Sequence, residues 1–195
     1  MPGRVFIDVP FHVPGLAGGS GVETARKDAA PGEEFLLLSD SSPELLQPMR
    51  WGMVMSGRRN ARGRPVMETI VNARSETVFE KSAFEGVRRA VLPVSGWYEW
   101  TGKTRRKQRW RMSVPGQTLL IAAIFDVWHG PGGVEVAQFA TLTVAPNTEV
   151  EKIHHRMPAL LSPGEARGWL TGMAGPEVLR PAAVGLLTIE AVEEP

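Results

Sequence analysis

The chain has 195 residues, no cysteine, and a formal net charge of +1 from 22 Lys and Arg against 21 Asp and Glu. That length supports one domain with a real core, and the near-balanced charge gives no global electrostatic pull toward nucleic acid. The absence of cysteine excludes disulfides, thiolate metal sites and thiol nucleophiles. No run of about 18 apolar residues marks a membrane span, and no charged segment followed by an apolar one marks a secretory leader, so a cytoplasmic location is expected.

Glycine (21) and proline (16) are spread along the chain, which suits many short strands joined by turns. Val5 to Val9 reads as a first strand ended by Pro10. Ser20-Gly-Val-Glu23 has the form of a capping box opening a short helix. Phe35 to Leu38 is a short apolar strand ending at Ser39-Asp40. Ile70-Val71 leads into Asn72-Ala-Arg-Ser-Glu-Thr77, where Asn72, Arg74 and Glu76 share a face if the strand continues. Gly96-Trp-Tyr-Glu-Trp100 is an aromatic strand. The basic stretch from Lys103 to Arg111 is expected at a hairpin tip, either a solvated loop or an edge that touches phosphates. Leu119 to Trp128 is a buried strand, Gly130-Pro-Gly-Gly133 turns the chain, and Val134 to Val144 returns as its hairpin partner. Thr148 to Glu151 starts a helical turn before His154. Ser162-Pro-Gly-Glu165 supplies a cap, a proline at the first helical position and an acidic residue in the first turn, so a helix runs to Leu170 and stops near Gly172. The pattern predicts an α+β fold, strand-rich, with several antiparallel hairpins and a few short helices, rather than a doubly wound sheet.

Several polar residues invite a chemical reading. Alternation along the aromatic strand puts Trp97 and Glu99 on one face and Tyr98 and Trp100 on the other. A carboxylate beside a tryptophan on an apolar strand is costly to bury unless paired or hydrogen-bonded, and is a candidate for a raised pKa and proton transfer. An edge-strand glutamate facing water is the alternative. Asn72 and Arg74 both present N–H donors suited to an anion or a carbonyl oxygen, although Arg74 is also placed for an exposed ion pair with Glu76, which contributes little. His154 suits acid/base work near neutral pH, against the plainer role of an ordinary surface or core histidine. His12 and His129 fall in loops without ligand spacing, so neither a metal site nor a cofactor is expected. Trp51, next to the flexible Gly52, is either a platform for stacking a base or a core tryptophan.

Taken in order, Met1-x-Gly3-Arg4, Ala30-Pro31, Arg50-Trp-Gly52, Asn72-Ala-Arg-Ser-Glu-Thr77, Arg88-Arg89, Leu92-Pro93, Gly96-Trp-Tyr-Glu-Trp100, Thr141-Leu-Thr143 and His154-x-Arg156-Met-Pro158 resemble the SOS-response-associated peptidase family, the abasic-site-processing proteins. The resemblance implies one compact α+β domain over the whole chain, with a positive groove for single-stranded DNA. In the family, removal of Met1 exposes an N-terminal cysteine whose amine and thiol condense with the aldehyde of a ring-opened abasic sugar to form a stable thiazolidine. Carried onto this chain, the resemblance implies that Asn72 positions the N-terminal residue and the sugar, and that Arg74 and Arg4 bind flanking phosphates. It further implies that Glu99 assists ring opening, that His154 is the acid/base, that Arg156 and Thr143 line the groove, and that Trp51 and Gly52 pack near the flipped-out site.

Position 2 is proline. Without a thiol on the β-carbon a thiazolidine ring cannot close. The first thirty residues also depart from the family pattern, and Ser95 and His155 stand where it has aspartate. Three functions remain open. The chain binds abasic DNA without crosslinking it, or uses a freed Pro2 amine for transient iminium and lyase chemistry, or is a regulatory or protein-interaction domain with no DNA role.

Overall fold

The computed structural model describes residues 3–8, 25–54, 61–63, 68–103 and 106–193. The expected helix opening at Ser20, the residues after Asp8 in the first strand, and Pro2 lie outside them. The strands β1 (Val5–Ile7), β2 (Arg26–Ala29), β3 (Glu34–Ser39), β4 (Ser42–Trp51), β5 (Met53–Val54), β6 (Thr69–Ile70) and β7 (Asn72–Arg74) lead into a single helical turn, α1 (Ser75–Val78). There follow β8 (Arg88–Val94), β9 (Gly96–Lys103), β10 (Arg106–Ser113), β11 (Leu119–His129), β12 (Glu135–Val144), β13 (Met157–Pro158) and β14 (Leu160–Leu161). The helix α2 (Pro163–Thr171) and the last strand β15 (Thr188–Val192) complete the order. Among the described residues no helix is long and apolar enough to cross a membrane.

Two sheets carry the architecture. The smaller runs β15-β10-β9-β1-β2, with every neighbouring pair antiparallel. The larger runs β13-β12-β4-β3-β8-β11-β14, and because β11 also pairs with β12, the strands β12-β4-β3-β8-β11 close into a barrel. The barrel interior is built by alternation: Phe35 and Leu37 of β3, Met49 and Trp51 of β4, Ala90 and Leu92 of β8, Ile121 and Ala123 of β11 and Phe139 of β12 are all buried. Trp51 stacks on Phe139 at 6.2 Å and meets Phe35 edge-on at 5.7 Å. Its place is the core, so it is not a surface for stacking a base.

The hairpin of β11 and β12 forms with its turn over 130–134, as the sequence indicates. The helix α2 has the expected capping box, with the Ser162 side chain accepting from the Glu165 N–H and the Glu165 carboxylate accepting from the Ser162 N–H, and it ends at Gly172 in the left-handed conformation. The basic stretch starts at the end of the β9–β10 hairpin as expected, with Lys103 opposite Arg106, but extends well beyond it. Most of it is β10, a central strand between β9 and β15. Arg109 is buried with its guanidinium 3.6 Å from the Tyr98 ring centroid and 3.2 Å from the Asp28 carboxylate. Arg111 covers Phe6 and pairs with Asp8 and Glu190. These two cations fasten the outer face of the small sheet.

Gly96 explains why the aromatic strand starts with glycine. A Cβ there would lie 2.2 Å from the Met112 carbonyl oxygen and 2.4 Å from Phe6 Cζ. Neither neighbour can withdraw without moving the sheet. Gly96→Ala is expected to destabilise the chain by about 3 kcal/mol, measured by urea unfolding. Gly164→Ala, in α2 with open space around the added methyl, is expected to be neutral or stabilising by up to about 1 kcal/mol.

Candidate active site

The end of β12 organises the site. On one edge it pairs in parallel with β7, Thr141 opposite Asn72 and Thr143 opposite Arg74. On its other edge Thr143 faces Pro158 of β13. With strands about 4.8 Å apart, the Asn72–Arg74 and His154–Pro158 segments therefore flank a single strand, about 10 Å from each other.

Asn72 is half-buried and its Oδ1 accepts a short hydrogen bond from the buried Thr141 hydroxyl. This fixes the amide so that its NH2 is the half not held by Thr141. The approach to Asn72 is set from the core, because the Trp51 indole N–H donates to the Val71 carbonyl at 3.0 Å. Gly52 follows with φ +121°, and a Cβ there would lie 2.5 Å from Thr69 Cγ2. Trp51 and Gly52 thus shape the wall behind the site. The extended face expected to carry Asn72, Arg74 and Glu76 together ends at Arg74, where the chain turns into α1. Arg74 is exposed and makes no ion pair among the described residues. Glu76, on the helical turn, points back to Arg156.

Arg156 departs from its expected role as a DNA contact. Its Nη1 and Nη2 donate to the two Glu76 carboxylate oxygens at 2.7 Å each. Its Nε lies 3.4 Å from the Thr143 hydroxyl, and Nη2 also donates to the Thr143 carbonyl. The guanidinium is satisfied within the protein and nine-tenths buried. Thr143 is wholly buried, its hydroxyl donating to the Ala73 carbonyl at 3.2 Å, so it ties β12 to β7 and is not exposed to a groove. Arg4 alternates with Val5 onto the outer face of the small sheet, opposite to Glu99, with Asp28 at 3.5 Å. Of the three arginines expected at an anion, only Arg74 is both exposed and uncommitted among the described residues.

His154 follows a 3-10 turn at Val150–Lys152. Asn147, which the sequence reading passed over, builds that turn. Its side-chain oxygen accepts from the N–H groups of Glu149 and Val150 at 3.2 and 2.9 Å, and its NH2 donates to the Ala182 carbonyl at 3.1 Å. The signal was present as an asparagine directly before an acidic helical start. The His154 N–H then donates to Val150 at 2.8 Å, and the Arg156 N–H donates to His154 Nδ1 at 3.0 Å. The same Nδ1 also lies 3.1 Å from the Arg156 carbonyl oxygen, so the Arg156 main chain brackets this nitrogen with a donor and an acceptor. Burial lowers the His154 pKa, keeping it neutral at physiological pH. The exposed ring of His155 lies 4.3 Å from it, and the charge of His154 lowers the His155 pKa in turn.

Glu99 enters from the small sheet. β9 is a central strand, not an edge, and the carboxyl is 3 % exposed. Burial raises its pKa, opposed in part by the positive charge of His155. His155 in turn feels Arg74 and Arg156. Glu99, His154, His155 and Arg74 thus belong to one electrostatic neighbourhood. The ladder between β1 and β9 continues past Val5, with the Tyr98 N–H donating to the Arg4 carbonyl at 3.0 Å. That register brings Gly3 alongside Glu99. The site therefore holds a carboxylic acid inclined to keep its proton, a neutral imidazole, an oriented amide and one exposed cation, a set suited to proton exchange with, and orientation of, a small polar group. Among the described residues no cluster of three or more His, Asp and Glu is placed to hold a metal ion. A separate cavity of about 1100 Å³, walled by Leu120, Leu161, Pro163 and Leu186, includes none of Asn72, Glu99 or His154.

A family model described as SOS response associated peptidase (SRAP) matches residues 17–194. The chain belongs to the SRAP family. It is 32% identical over 157 residues to the abasic site processing protein HMCES of Gallus gallus, an alignment covering 68% of this chain and 47% of that protein. It is 28% identical over 150 residues to the abasic site processing protein YoqW of Bacillus subtilis, covering 73% and 65% respectively. The SRAP chain thus spans about half to two-thirds of the length of these curated relatives. Its fold is shared with a protein from Bordetella bronchiseptica at a TM-score of 0.80, 20% identity and full coverage of both chains. A protein from Bacteroides thetaiotaomicron gives 0.75 at 23% identity, covering 85% of this chain and 77% of its own.

Proposed function

We propose that this SRAP chain acts as one domain that binds abasic sites in single-stranded DNA in the response to DNA damage, without the stable thiazolidine crosslink. The names of its relatives support an abasic-site role. The observation that carries the reading is Glu99, a buried, proton-retaining carboxyl on the strand that pairs with the first described residues of the chain. Asn72 and His154 complete a set able to hold and protonate an opened sugar.

Pro2 replaces the family thiol, so the chemistry left is that of an amine. Once Met1 is removed, Pro2 offers a secondary amine with an α-amino pKa of about 8. Its lone pair adds to the aldehyde carbon. The carbinolamine nitrogen gives its proton to the neutral His154, the hydroxyl leaves as water with a proton from Glu99, and an iminium ion remains. The iminium acidifies the adjacent C–H. Loss of that proton expels the phosphate on the next carbon by β-elimination, and water then releases the amine. The bond to DNA is transient.

A regulatory or interaction domain without a DNA role is the second reading. The internal pairing of Arg4 with Asp28 and of Arg156 with Glu76 favours it, because neither cation then requires an external anion. A fluorescence titration with abasic single-stranded DNA at several salt concentrations separates the two. The DNA reading expects log Kd to change with log salt by about 0.7 per phosphate neutralised. Arg74→Ala is expected to lower that slope by about 0.7 while leaving thermal stability unchanged. No measurable affinity, or affinity independent of salt, supports the second reading.

A further inference from the structure

We propose that Trp110 is a positioning residue for Glu99: hydrogen-bonded to Thr101, its indole is held as a wall that keeps water from one flank of the carboxyl. What the wall does for abasic-site chemistry rests on the reading above; the wall itself does not. Glu99 lies on a central strand and has a neighbour in the ladder on each side. On β10 that neighbour is Trp110. On β1 the pairing of Val5 with Trp97, continued past Arg4, puts Gly3 on the other side. Side chains directly opposite each other in an antiparallel pair rise from the same face with their Cβ atoms about 5 Å apart. Trp110 therefore stands next to the carboxyl, whereas Gly3 brings no side chain, so the wall is one-sided.

The indole is tied at its far end. Its Nε1–H donates to the Thr101 hydroxyl at 2.8 Å. Thr101 is two residues beyond Glu99 on β9, so it shares the face and lies about 7 Å along the strand. The Trp110 side chain thus starts beside Glu99 and ends beside Thr101, and the ring runs along the flank of the carboxyl. The other tryptophan of this face, Trp97, is wholly buried, as is Met112 opposite it. Trp110 is only partly buried and packs on the core from its margin. It stands at the boundary where water would enter, yet Glu99 behind it is 3 % exposed. Burial is what raises the Glu99 pKa, while each positive charge that acts on it, His155 among them, favours the carboxylate. His154 lies against His155, and Arg74 and Arg156 act on His155 in turn. With these cations pulling toward the ionised form, retention of the proton depends on exclusion of water, and Trp110 is the boundary side chain placed to exclude it. Trp110 acts through Glu99 and takes no proton itself.

The test is carboxyl-carbon NMR of the full chain, labelled with 13C-glutamate and free of DNA, so that a failed DNA reading leaves the outcome untouched. Glu99→Gln identifies the Glu99 signal, and the readout is the pH at which that signal titrates. Trp110→Ala is expected to lower the proton affinity of Glu99 by about tenfold, toward that of an ordinary glutamate. Thr101→Val keeps the shape and removes only the acceptor, and is expected to lower it by about threefold, the scale of one modest hydrogen bond. Trp110→Phe keeps a ring without the N–H and is expected to match Thr101→Val, with the two combined no worse than either alone. A folded Trp110→Ala chain whose Glu99 keeps the wild-type affinity overturns the proposal. A Thr101→Val chain that keeps it does so too, and decides the matter if the alanine variant fails to fold. A purely structural role at these positions would lower the urea midpoint, recorded in parallel, and leave the Glu99 titration where it was. In borohydride trapping with abasic DNA, Trp110→Ala is expected to slow adduct formation at pH 7 by about tenfold, and by less at pH 5, where both proteins hold more of the proton. If the titration shifts as expected while abasic DNA shows no affinity, the wall stands and the DNA reading falls.

Discussion

Pro2→Cys is expected to give an adduct with abasic single-stranded DNA that survives heat and denaturant without any reductant. The unaltered chain, freed of Met1, is expected to give one only after borohydride has reduced the iminium. The deciding difference is the thiol that cysteine carries on its β-carbon and proline lacks. An N-terminal cysteine adds its thiol to the same carbon that its amine has attacked and closes a five-membered ring, whereas proline stops at the iminium, which water reverses. The proposed site would support either outcome: the β1–β9 ladder brings the first described residues toward Glu99, and Asn72 and His154 are held by Thr141 and Arg156. The effect should be close to all-or-none on a denaturing gel, with intact mass confirming that the protein begins at residue 2. If Pro2→Cys stays uncrosslinked, the departure of the first thirty residues from the family pattern has disabled the site by more than a missing thiol. If the wild type yields no trapped band, the lyase chemistry proposed for Pro2 is wrong.

Glu99→Gln is expected to lower the rate of borohydride-trapped adduct formation by about 100-fold, the lower range for loss of a positioned acid, and at the same time to stabilise the fold by about 1–2 kcal/mol at pH 7. The sign follows from linkage. Burial raises the folded-state pKa of Glu99 above its ordinary value of 4.5, so the native state holds this proton more tightly than the unfolded chain does. That contribution is complete below the unfolded pKa and is lost as pH climbs through the raised folded value. The wild type gives it up as pH passes through that raised value, while glutamine never titrates. Urea unfolding from pH 4 to pH 8 should therefore show a downward slope in the wild type that is shallower in the variant. Equal slopes and equal stability at pH 7 would show that the carboxylate is comfortable in its ionised form, and with that its role as a proton donor would go.

The sequence disclosed the α+β class, the β11–β12 hairpin and the α2 helix because each rests on local signals: an unbroken apolar run, a glycine-rich turn, a capping box. It also disclosed Glu99 as anomalous, since a carboxylate sharing a strand face with a tryptophan needs a reason. What it did not disclose was partnership. Arg4, Thr143 and Arg156 stand in the right motifs, yet their side chains answer to Asp28, Ala73 and Glu76, contacts made across strands far apart in the chain. The same limit hid the role of the basic stretch, where Arg109 lies over Tyr98 within a central strand. Register and sheet order decide these matters, and neither is written in composition. β4 was missed for a simpler reason: Ser42 to Trp51 contains two prolines, a glutamate and an arginine, and it lacks the alternation that marks a strand.

That unpromising strand closes the barrel. β4 meets β12 only at its last two residues, Arg50 opposite Gln138 and Trp51 opposite Phe139. The seam joins parts of the chain separated by everything from β5 to β11, and parallel pairing at such range is slow to form. On the ribosome, β4 emerges several seconds before its partner exists, and among the described residues most of its length has a strand neighbour, β3, on one side only. Pro43 and Pro48 bring no N–H to such an edge, and Glu44 and Arg50 bring charge. The residues that disguise β4 as a loop are thus the ones that keep a nascent, waiting edge from templating the wrong chain.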